Sequence, residues 1–306
     1  MRIATTYKGL EKIAEKETKG KEIVYTKVEY SKNKELKSVL SSYELVKRFK
    51  FKDEQEIYEQ VKKIKFKFKE PCKCDCLRIG KHNFSSQDIR DNVHRILAKN
   101  YKINFKEPKT IVFLDILDDY CFIGLNPVRY KRSYKVRFSR NSLASSIAYS
   151  LLKIADIKKS NSLIDPFCND GTILIEAGLL SIKKLYGFTE DPKNASINSK
   201  VAKVKIELST NPVDWLDTLF KKNSIDFIIS KPPVLSKRAD PKVVEKQTKE
   251  LFHQASYISK KKMILISQKP ELLEKYSKQY NFSMNKELEI IVGDLIYNVF
   301  SFKKNI

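Results

Sequence analysis

One stretch of the chain, residues 165–177, combines residue types that could bind a nucleotide-like ligand. An apolar run ends at Asp165, a tight polar turn contains Gly171, and an apolar helical pattern begins after it. This order predicts a buried strand, a turn and a helix N-terminus. Backbone N–H groups at such a helix start lack internal partners, and glycine lets a ligand approach them closely. We therefore expect a ligand-binding turn here.

The residues of this turn also carry a family resemblance. The sequence DPFCNDGTILIEA resembles the S-adenosylmethionine (SAM) loop of RNA amino-group methyltransferases. The alternative is a plain strand-to-helix turn of another α/β domain. The resemblance implies SAM as cofactor and contacts from Asp165, Phe167, Cys168, Gly171 and Thr172. Asn169 and Asp170 replace the small residues usual in the family, so the extra carboxylate either faces the methionine end of SAM or crowds it.

The resemblance implies two more cofactor contacts, after the next two strands. The family has an acid for the ribose hydroxyls where this chain has Thr189, and Glu190 follows one residue later. Thr189 is a weaker acceptor than a carboxylate, and Glu190 substitutes for it if the turn shifts. Asp214 is the candidate for the adenine amino group. The alternative for Asp214 is a charge placed at a helix N-terminus for the helix dipole.

A second resemblance lies at the end of the strand predicted at 225–230. The family's catalytic turn reads Asn or Asp, Pro, Pro, aromatic, and this chain has Lys231, Pro232, Pro233 and Val234. The two prolines have no N–H, so their turn leaves carbonyls free to accept from a base amino group. A charged lysine accepts no hydrogen bond, and valine cannot stack on an extruded base. Fold and activity therefore have to be judged separately.

The middle of the chain resembles an RNA-holding module. A strand, a polar turn, a helix and a hairpin are predicted between residues 76 and 125. Arg78, His82, Phe84, Ser85 and Ser86 carry a resemblance to THUMP domains, which implies a role in holding tRNA. Lys81, His82 and Phe84 are the expected RNA contacts. The alternative is an unrelated small α+β unit.

A basic connector follows at residues 126–140. Its cations are Arg129, Lys131, Arg132, Lys135, Arg137 and Arg140, with Tyr130 and Tyr134 between them. Lysine and arginine contact phosphates, and tyrosine stacks on bases or bonds to sugar. We expect an RNA contact, with a solvated linker as the alternative.

Composition points to the same kind of partner. Lys and Arg number 60 against 37 Asp and Glu, a net charge of +23, which favours a polyanion. This charge and an aromatic content of 11% fit RNA better than an acidic membrane, because no single basic amphipathic helix dominates the sequence. The alternative is a basic surface without a specific partner. No run of about 18 apolar residues and no signal peptide are found, so we expect a cytoplasmic chain. The oligomeric state stays open, with a monomer favoured. The five cysteines predict inert thiols, and no metal site is expected.

The element pattern divides the chain into four parts. We predict a ferredoxin-like α+β domain at 1–70, THUMP at 71–126, a basic linker at 127–142 and a SAM-dependent methyltransferase domain at 143–306. In the last part, five strand–helix pairs precede a hairpin around Gly293-Asp294. This pattern predicts an α/β fold with a doubly wound, Rossmann-like sheet and an antiparallel C-terminal hairpin, the layout that class I methyltransferases have. Strands are also predicted at 35–40 and 64–69.

Together the resemblances cover nearly the whole chain. They imply an archaeal-type, THUMP-containing methyltransferase acting on RNA, with tRNA guanine N2 as the expected target. The alternative is a catalytically inactive relative that binds tRNA or another structured RNA.

Overall fold

The computed structural model describes residues 1–32, 35–139, 141–236 and 239–305. The chain forms two compact units. The first contains Met1–Thr5, Thr18–Glu35 and Leu40–Tyr130, and the second contains Thr6–Glu17, Leu36–Val39 and Lys131–Ile306. The predicted change of domain within the basic linker therefore lies close to the division at residue 130.

The strands and helices are bounded as follows. The strands are β1 (Arg2–Thr5), β2 (Lys21–Val24), β3 (Lys27–Tyr30), β4 (Ser41–Lys50), β5 (Cys72–Ile79), β6 (Thr110–Leu117), β7 (Tyr120–Arg129), β8 (Ser162–Asp165), β9 (Lys184–Phe188), β10 (Glu207–Ser209), β11 (Ile225–Ser230), β12 (Ser259–Ser267), β13 (Phe282–Val292) and β14 (Leu295–Lys304). The helices are α1 (Glu11–Thr18), α2 (Glu54–Lys62), α3 (Ser86–Leu97), α4 (Ser145–Ala155), α5 (Thr172–Leu179), α6 (Lys193–Ala202), α7 (Leu216–Leu219), α8 (Pro241–Ile258) and α9 (Glu271–Gln279), with a 3₁₀ turn at Val213–Trp215.

The first unit is a mixed sheet covered by two helices. Among its described residues, seven strands follow the order β2-β3-β1-β4-β7-β6-β5, and only β5 and β6 pair in parallel. Helices α2 and α3 bury Ile57, Val61, Ile89 and Val93 in one core with strand residues. Helix α3 begins at a capping box, in which the side chains of Ser85 and Asp88 each accept from the other residue's backbone N–H. The predicted ferredoxin-like and THUMP parts thus share one sheet.

A buried ion pair lies inside this first unit. Lys27 and Asp115 are fully buried, and the Nζ atom of Lys27 donates to a carboxylate oxygen of Asp115. The Nζ atom also donates to Thr5 Oγ1 at 3.1 Å, and the Tyr43 hydroxyl donates to Asp115 Oδ2 at 3.0 Å. The pair links β3 to β6 through side chains. Its charge-assisted hydrogen bonds offset part of the desolvation of both ions, while Asp115 Oδ1 is buried without a partner among the described residues.

The second unit is the predicted doubly wound sheet. Its described strands run in the order β10-β9-β8-β11-β12-β14-β13. The first five are parallel, and β13 and β14 form the predicted antiparallel hairpin. The order of parallel strands reverses between β8 and β11, which makes their carboxyl ends the topological switch point where such sheets bind ligands.

Two predicted strands are wrong. Residues 35–40 are not a strand, because the backbone N–H groups of Lys37 and Ser38 donate to the Glu17 carboxylate at 2.9 and 2.8 Å instead of to a neighbouring strand. Residues 64–69 are not a strand either: Phe66 and Phe68 alternate with lysines because both rings pack against Tyr101. Strand β4, which directly follows the first of these segments, was not predicted.

No helix within the described residues is long and apolar enough to cross a membrane.

Candidate active site

The carboxyl ends of β8 and β11 are joined by a buried carboxyl group. Asp165, the last residue of β8, accepts a hydrogen bond from Ser230 Oγ at 2.5 Å, and Ser230 is the last residue of β11. The Phe167 backbone N–H also donates to Asp165, at 3.2 Å. Burial raises the pKa of Asp165 to about 7, against the opposing effect of these hydrogen bonds. The carboxyl group therefore holds the two strand ends together at the switch point.

The predicted ligand turn follows Asp165 and is tightly closed. Asn169 and Gly171 both have positive φ, of 49° and 79°. The Cys168 N–H donates to Phe188 O at 2.9 Å, and the Gly171 N–H donates to Cys168 O at 2.7 Å. A Cβ atom at position 171 would lie 3.2 Å from the Ala195 Cβ. The glycine thus supplies a left-handed backbone and lets α6 pack closely against the turn at Ala195.

Asp170 is turned into its own loop. Its side chain is buried; Oδ1 accepts from Thr172 Oγ1 at 2.8 Å, and Oδ2 accepts from Ser142 Oγ. The Nζ atom of Lys135 lies 3.6 Å from Oδ2 and donates to Thr172 Oγ1 at 3.0 Å. The sequence left two alternatives for this carboxylate, facing the cofactor or crowding it. These hydrogen bonds favour a third: the Asp170 carboxylate holds the loop in place through Ser142, Thr172 and Lys135.

The basic connector lies against α5. Arg132 is almost buried, and its Nε donates to Glu176 Oε1 at 2.7 Å, where Glu176 is fully buried. The Tyr134 hydroxyl donates to the same oxygen at 2.8 Å, and burial raises the pKa of this tyrosine. For Arg132 this geometry favours a structural role over the predicted RNA contact. Lys135 is likewise occupied, by Asp170, Thr172 and the Leu143 carbonyl.

Lys231 follows Ser230 and extends toward the connector. Its side chain is half-buried, and Nζ donates to the Asn141 carbonyl at 3.3 Å. The same atom lies 5.3 Å from the centre of the Tyr297 ring. Desolvation lowers the pKa of Lys231, while the charge of Asp170 opposes that shift. Pro232 is buried after it, and Pro233 and Val234 are half-buried.

The predicted ribose contacts cluster at the end of β9. Thr189 Oγ1 donates to the Asp191 carbonyl at 3.4 Å, and the Asp191 carboxylate accepts from the Lys193 N–H at 2.9 Å. Glu190 is exposed between them. In the described part of the chain, no hydrogen bond occupies the Glu190 carboxylate, so it is the better-placed acceptor for two hydroxyls.

Asp214 has an unsatisfied acceptor. It lies in the 3₁₀ turn after β10, and its Oδ1 atom is buried without a hydrogen-bond partner among the described residues. A buried acceptor left unpaired costs roughly 1–3 kcal/mol, so a ligand donor there would offset that cost. The adenine amino group of SAM is such a donor. The orphaned oxygen of Asp214, the glycine turn at the carboxyl end of β8 and the exposed carboxylate of Glu190 together fit the adenosyl cofactor.

The predicted RNA contacts fall into two groups. Phe84 is buried in the core of the first unit, with its ring centre 4.9 Å from that of His82, and this position favours a structural role over the predicted RNA contact. His82 is held by Arg78 at 3.0 Å and by the Asp118 carbonyl at 2.8 Å, which fixes the turn. The exposed candidates are Lys81, Arg129, Lys131 and Arg137, and Arg140 lies outside the described residues.

Sequence reasoning missed five residues whose side chains contact the predicted site residues and hold them in place. They are Ser142, Glu176, Asn198, Ser230 and Tyr297. Among these five residues, only Ser230 had a recognisable sequence signal, because it is a polar residue at the end of an apolar strand. The cysteines fit the expected inert thiols, because burial raises the pKa of Cys74 and Cys121 well above its usual value and that of Cys76 to about 12.

Each of the two units contains a segment that matches a known protein family. The THUMP domain family matches residues 51–126, and the UPF0020 family (RMKL-like, methyltransferase domain) matches residues 132–211. The match to THUMP starts at 51, inside the predicted ferredoxin-like part.

Curated relatives carry related names. The chain is 26% identical over 284 residues to a tRNA (guanine(6)-N2)-methyltransferase of Methanocaldococcus jannaschii, covering 73% of each. It is 27% identical over 179 residues to the human U6 snRNA (guanine-N(2))-methyltransferase THUMPD2, covering 54% of this chain and 34% of that protein.

Solved structures share the fold over the whole chain. TrmN from Thermus thermophilus superposes with a TM-score of 0.82 at 19% identity, covering 99% of both chains. SMU.472, a putative methyltransferase complexed with SAH, gives 0.81 at 15% identity, covering 100% of this chain and 98% of that one. The predicted fold class is confirmed. The chain contains segments that match a THUMP domain and a UPF0020 (RMKL-like) methyltransferase domain, and it shares its fold with these two solved structures.

Proposed function

We propose that this protein is a SAM-dependent RNA methyltransferase that methylates the N2 amino group of a guanine in tRNA. The observation that carries the proposal is the ligand turn at the switch point, closed around Gly171 and matched by an orphaned acceptor at Asp214. The guanine-N2 activities named for the relatives from M. jannaschii and human supply the target.

SAM supplies an electrophilic methyl group on a sulfonium. The residues proposed to hold it are Asp165, Phe167, Cys168, Gly171 and Thr172 at the methionine end, Thr189 and Glu190 at the ribose, and Asp214 at the adenine. Asp165 acts through Ser230, because the carboxyl group is buried and its Oδ1 atom accepts from the Ser230 hydroxyl. Glu190 takes the larger share at the ribose, because its carboxylate is exposed at the end of β9.

The base is held at the turn 231–234. Pro232 and Pro233 have no N–H, so the carbonyls of this turn are available to accept from the exocyclic amino group of guanine. Val234 offers apolar contact without stacking. Rate enhancement then comes mainly from holding guanine N2 in line with the methyl carbon, which removes the entropic cost of bringing the two together.

RNA binding is proposed for exposed cations of both units. Lys81 and Arg129 belong to the first unit, and Lys131 and Arg137 to the second. Their exposure leaves them free to contact phosphates, which position an RNA without reading its sequence. A cytoplasmic location and a monomeric state remain proposals.

A catalytically silent RNA-binding relative is the second candidate function. It is favoured by Lys231, Val234 and Thr189, which all depart from the family's catalytic and ribose positions. In this candidate Lys231 binds RNA phosphate as a cation. Its half-buried position and contact with Asn141 argue against that role, since a phosphate-binding lysine is expected to be exposed.

Labelled methyl transfer separates the two candidates. The protein is incubated with total tRNA and SAM carrying a radiolabelled methyl group, and the RNA is digested to nucleosides. The proposal expects label in N2-methylguanosine. Label in another nucleoside would refute the guanine-N2 target, and RNA binding without any label would support the silent relative.

A further inference from the structure

Lys231 is the one residue of the proposed catalytic turn whose chemistry the proposed function does not explain. Family members have a neutral or anionic acceptor at this place, whereas this chain has an amine. Lys231 directly follows Ser230, which is bonded to Asp165 at the end of β8, and its amine interacts electrostatically with Asp170 of the ligand turn. With SAM bound at this turn, an ammonium on Lys231 would add to the positive charge of the sulfonium.

The charges around Lys231 do little to keep it protonated. Among the described residues, no carboxylate lies within 4 Å of its Nζ. Asp170 is the acid that attracts it, and the carboxylate of Asp170 is already paired with Lys135 and bonded to Ser142 and Thr172.

The remaining neighbours of Nζ are weak partners. The Asn141 carbonyl accepts a single hydrogen bond at 3.3 Å, and the Tyr297 ring, 5.3 Å away, favours the cation modestly. Tyr7 interacts electrostatically with Tyr297, and burial raises the pKa values of both tyrosines, so both phenols stay neutral near pH 8. Desolvation is the largest influence on Lys231 and lowers its pKa.

We propose that Lys231 acts as an uncharged amine: binding of the SAM sulfonium drives off its proton, and Nζ then takes the proton that guanine N2 must lose. The proposal rests on the proposed function and adds to it a proton acceptor that the turn's carbonyls cannot provide. A lone pair on Nζ exists only in the uncharged form, and that form is compatible with a cationic neighbour.

Methyl transfer to guanine N2 needs one proton acceptor, and Nζ of Lys231 is sufficient. Guanine N2 forms a bond to the methyl carbon, the bond between that carbon and sulfur breaks, and its electron pair stays on sulfur. N2 then carries one surplus proton, which passes to Nζ of Lys231 and restores an ammonium. The ammonium releases this proton to solvent before the next cycle. No oxidant, reductant or further co-reactant is needed.

The proposal requires a linkage between SAM binding and protons. A positive sulfonium lowers the pKa of a neighbouring amine, so SAM binding should release a proton from Lys231, and SAM affinity should rise with pH by up to about tenfold per unit. S-adenosylhomocysteine has the same amino acid group but an uncharged sulfur. The difference between the two ligands therefore isolates the effect of the sulfonium.

Calorimetry in two buffers of different ionisation enthalpy measures this release without any methyl transfer. Titrations at pH 9 avoid the ionisation of Asp165, which is complete by then. Wild type should release more protons with SAM than with S-adenosylhomocysteine, Lys231→Met should remove the difference, and Lys184→Met should keep it. Lys184 is the matched control because it is an exposed lysine at the amino end of β9. Equal release by both ligands in wild type would overturn the proposal.

Methyl transfer gives the second readout. Loss of a proton acceptor typically costs roughly 10²–10⁴-fold, so Lys231→Met should lose about that much in rate at saturating SAM and RNA. Lys231→Arg, which stays charged, should lose at least as much and bind SAM more weakly. Full activity in Lys231→Met would refute the proton acceptor while leaving the proposed function intact. Absence of SAM binding by wild type would refute both.

Discussion

At the scale of single residues, Asp214 offers the sharpest test of cofactor placement. Its buried Oδ1 has no hydrogen-bond partner among the described residues, so the adenine amino group should complete it. Asp214→Ala should weaken SAM binding by about tenfold or more, the scale of one hydrogen bond to a charged group. Asp214→Asn keeps an oxygen acceptor and should lose less.

The matched control for this prediction is Asp217→Ala. Asp217 is an exposed acid in α7, directly after the 3₁₀ turn, and should leave SAM affinity unchanged. Titration calorimetry on the three variants checks the order. Equal losses from Asp214→Ala and Asp217→Ala would assign the effect to general charge rather than to the adenine contact.

Asp165 predicts a pH dependence of stability. Its pKa is raised from the ordinary 3.8 to about 7 in the folded protein, so the folded state binds more protons than the unfolded chain between those values. Stability should therefore fall as pH rises from about 4 to about 7, by roughly 4 kcal/mol at most for this group, and then level off. Melting temperatures of wild type and Asp165→Asn across this range test it. The gap between them should grow in favour of Asp165→Asn with rising pH, and a constant gap would contradict the assignment.

The sequence predicted the site's motif residues better than their partners. Gly171 was recognisable because the positive φ of its turn favours glycine. The partners of Asp170 and Glu176 are distant in sequence, at Ser142 and Tyr134, and tertiary packing alone brings them together. Arg132 was predicted to contact RNA because its charge can be read from the sequence. Its burial against Glu176 cannot, because tertiary packing produces it.

At the scale of elements, the buried pair between β3 and β6 makes a prediction for the first unit. Removing one partner leaves an unpaired charge in the core, so Lys27→Met should destabilise the unit by roughly 3–5 kcal/mol. Replacing both partners, as in Lys27→Met with Asp115→Leu, should recover much of that loss. Urea unfolding curves measure both variants.

The comparison for this prediction is an exposed pair. Lys62 and Glu59 are 2.6 Å apart in α2 with both side chains about half exposed, and Lys62→Met should cost less than about 1 kcal/mol. Similar losses from Lys27→Met and Lys62→Met would show that burial does not set the energetic cost.

The parallel strands of the second unit were predictable because each one is a short apolar run, as expected for a strand buried on both faces of the sheet. The first unit was harder. The alternating residues Phe66 and Phe68 satisfy a strand pattern, yet they pack on Tyr101 in a segment that pairs with no strand. Period-2 alternation reports which side chains are buried, and hydrogen-bond partners decide whether a strand forms.

At the scale of the whole molecule, the net charge of +23 predicts tRNA binding with a steep salt dependence. Each phosphate contact contributes about 0.9 to the magnitude of the log–log slope on duplex. The double variant Lys131→Ala, Arg137→Ala should lower that slope by about two, because both side chains are exposed in the basic connector.

The control for the salt experiment removes equal charge elsewhere. Lys183→Ala with Lys184→Ala takes two exposed cations from the amino end of β9 and should leave the slope nearly unchanged. Filter binding between low and physiological salt gives both slopes. A flat affinity for wild type would contradict the RNA proposal as a whole.

The most direct test of the account is a calorimetric titration of the wild-type protein with SAM, run beside two glycine variants. Gly171 and Gly293 both have positive φ, so Gly171→Val and Gly293→Val share the backbone strain, but only Gly171 lies in the ligand turn. The account predicts that wild type and Gly293→Val bind SAM and that folded Gly171→Val does not. Absence of binding by wild type at high micromolar SAM, or binding that survives in Gly171→Val, would contradict it.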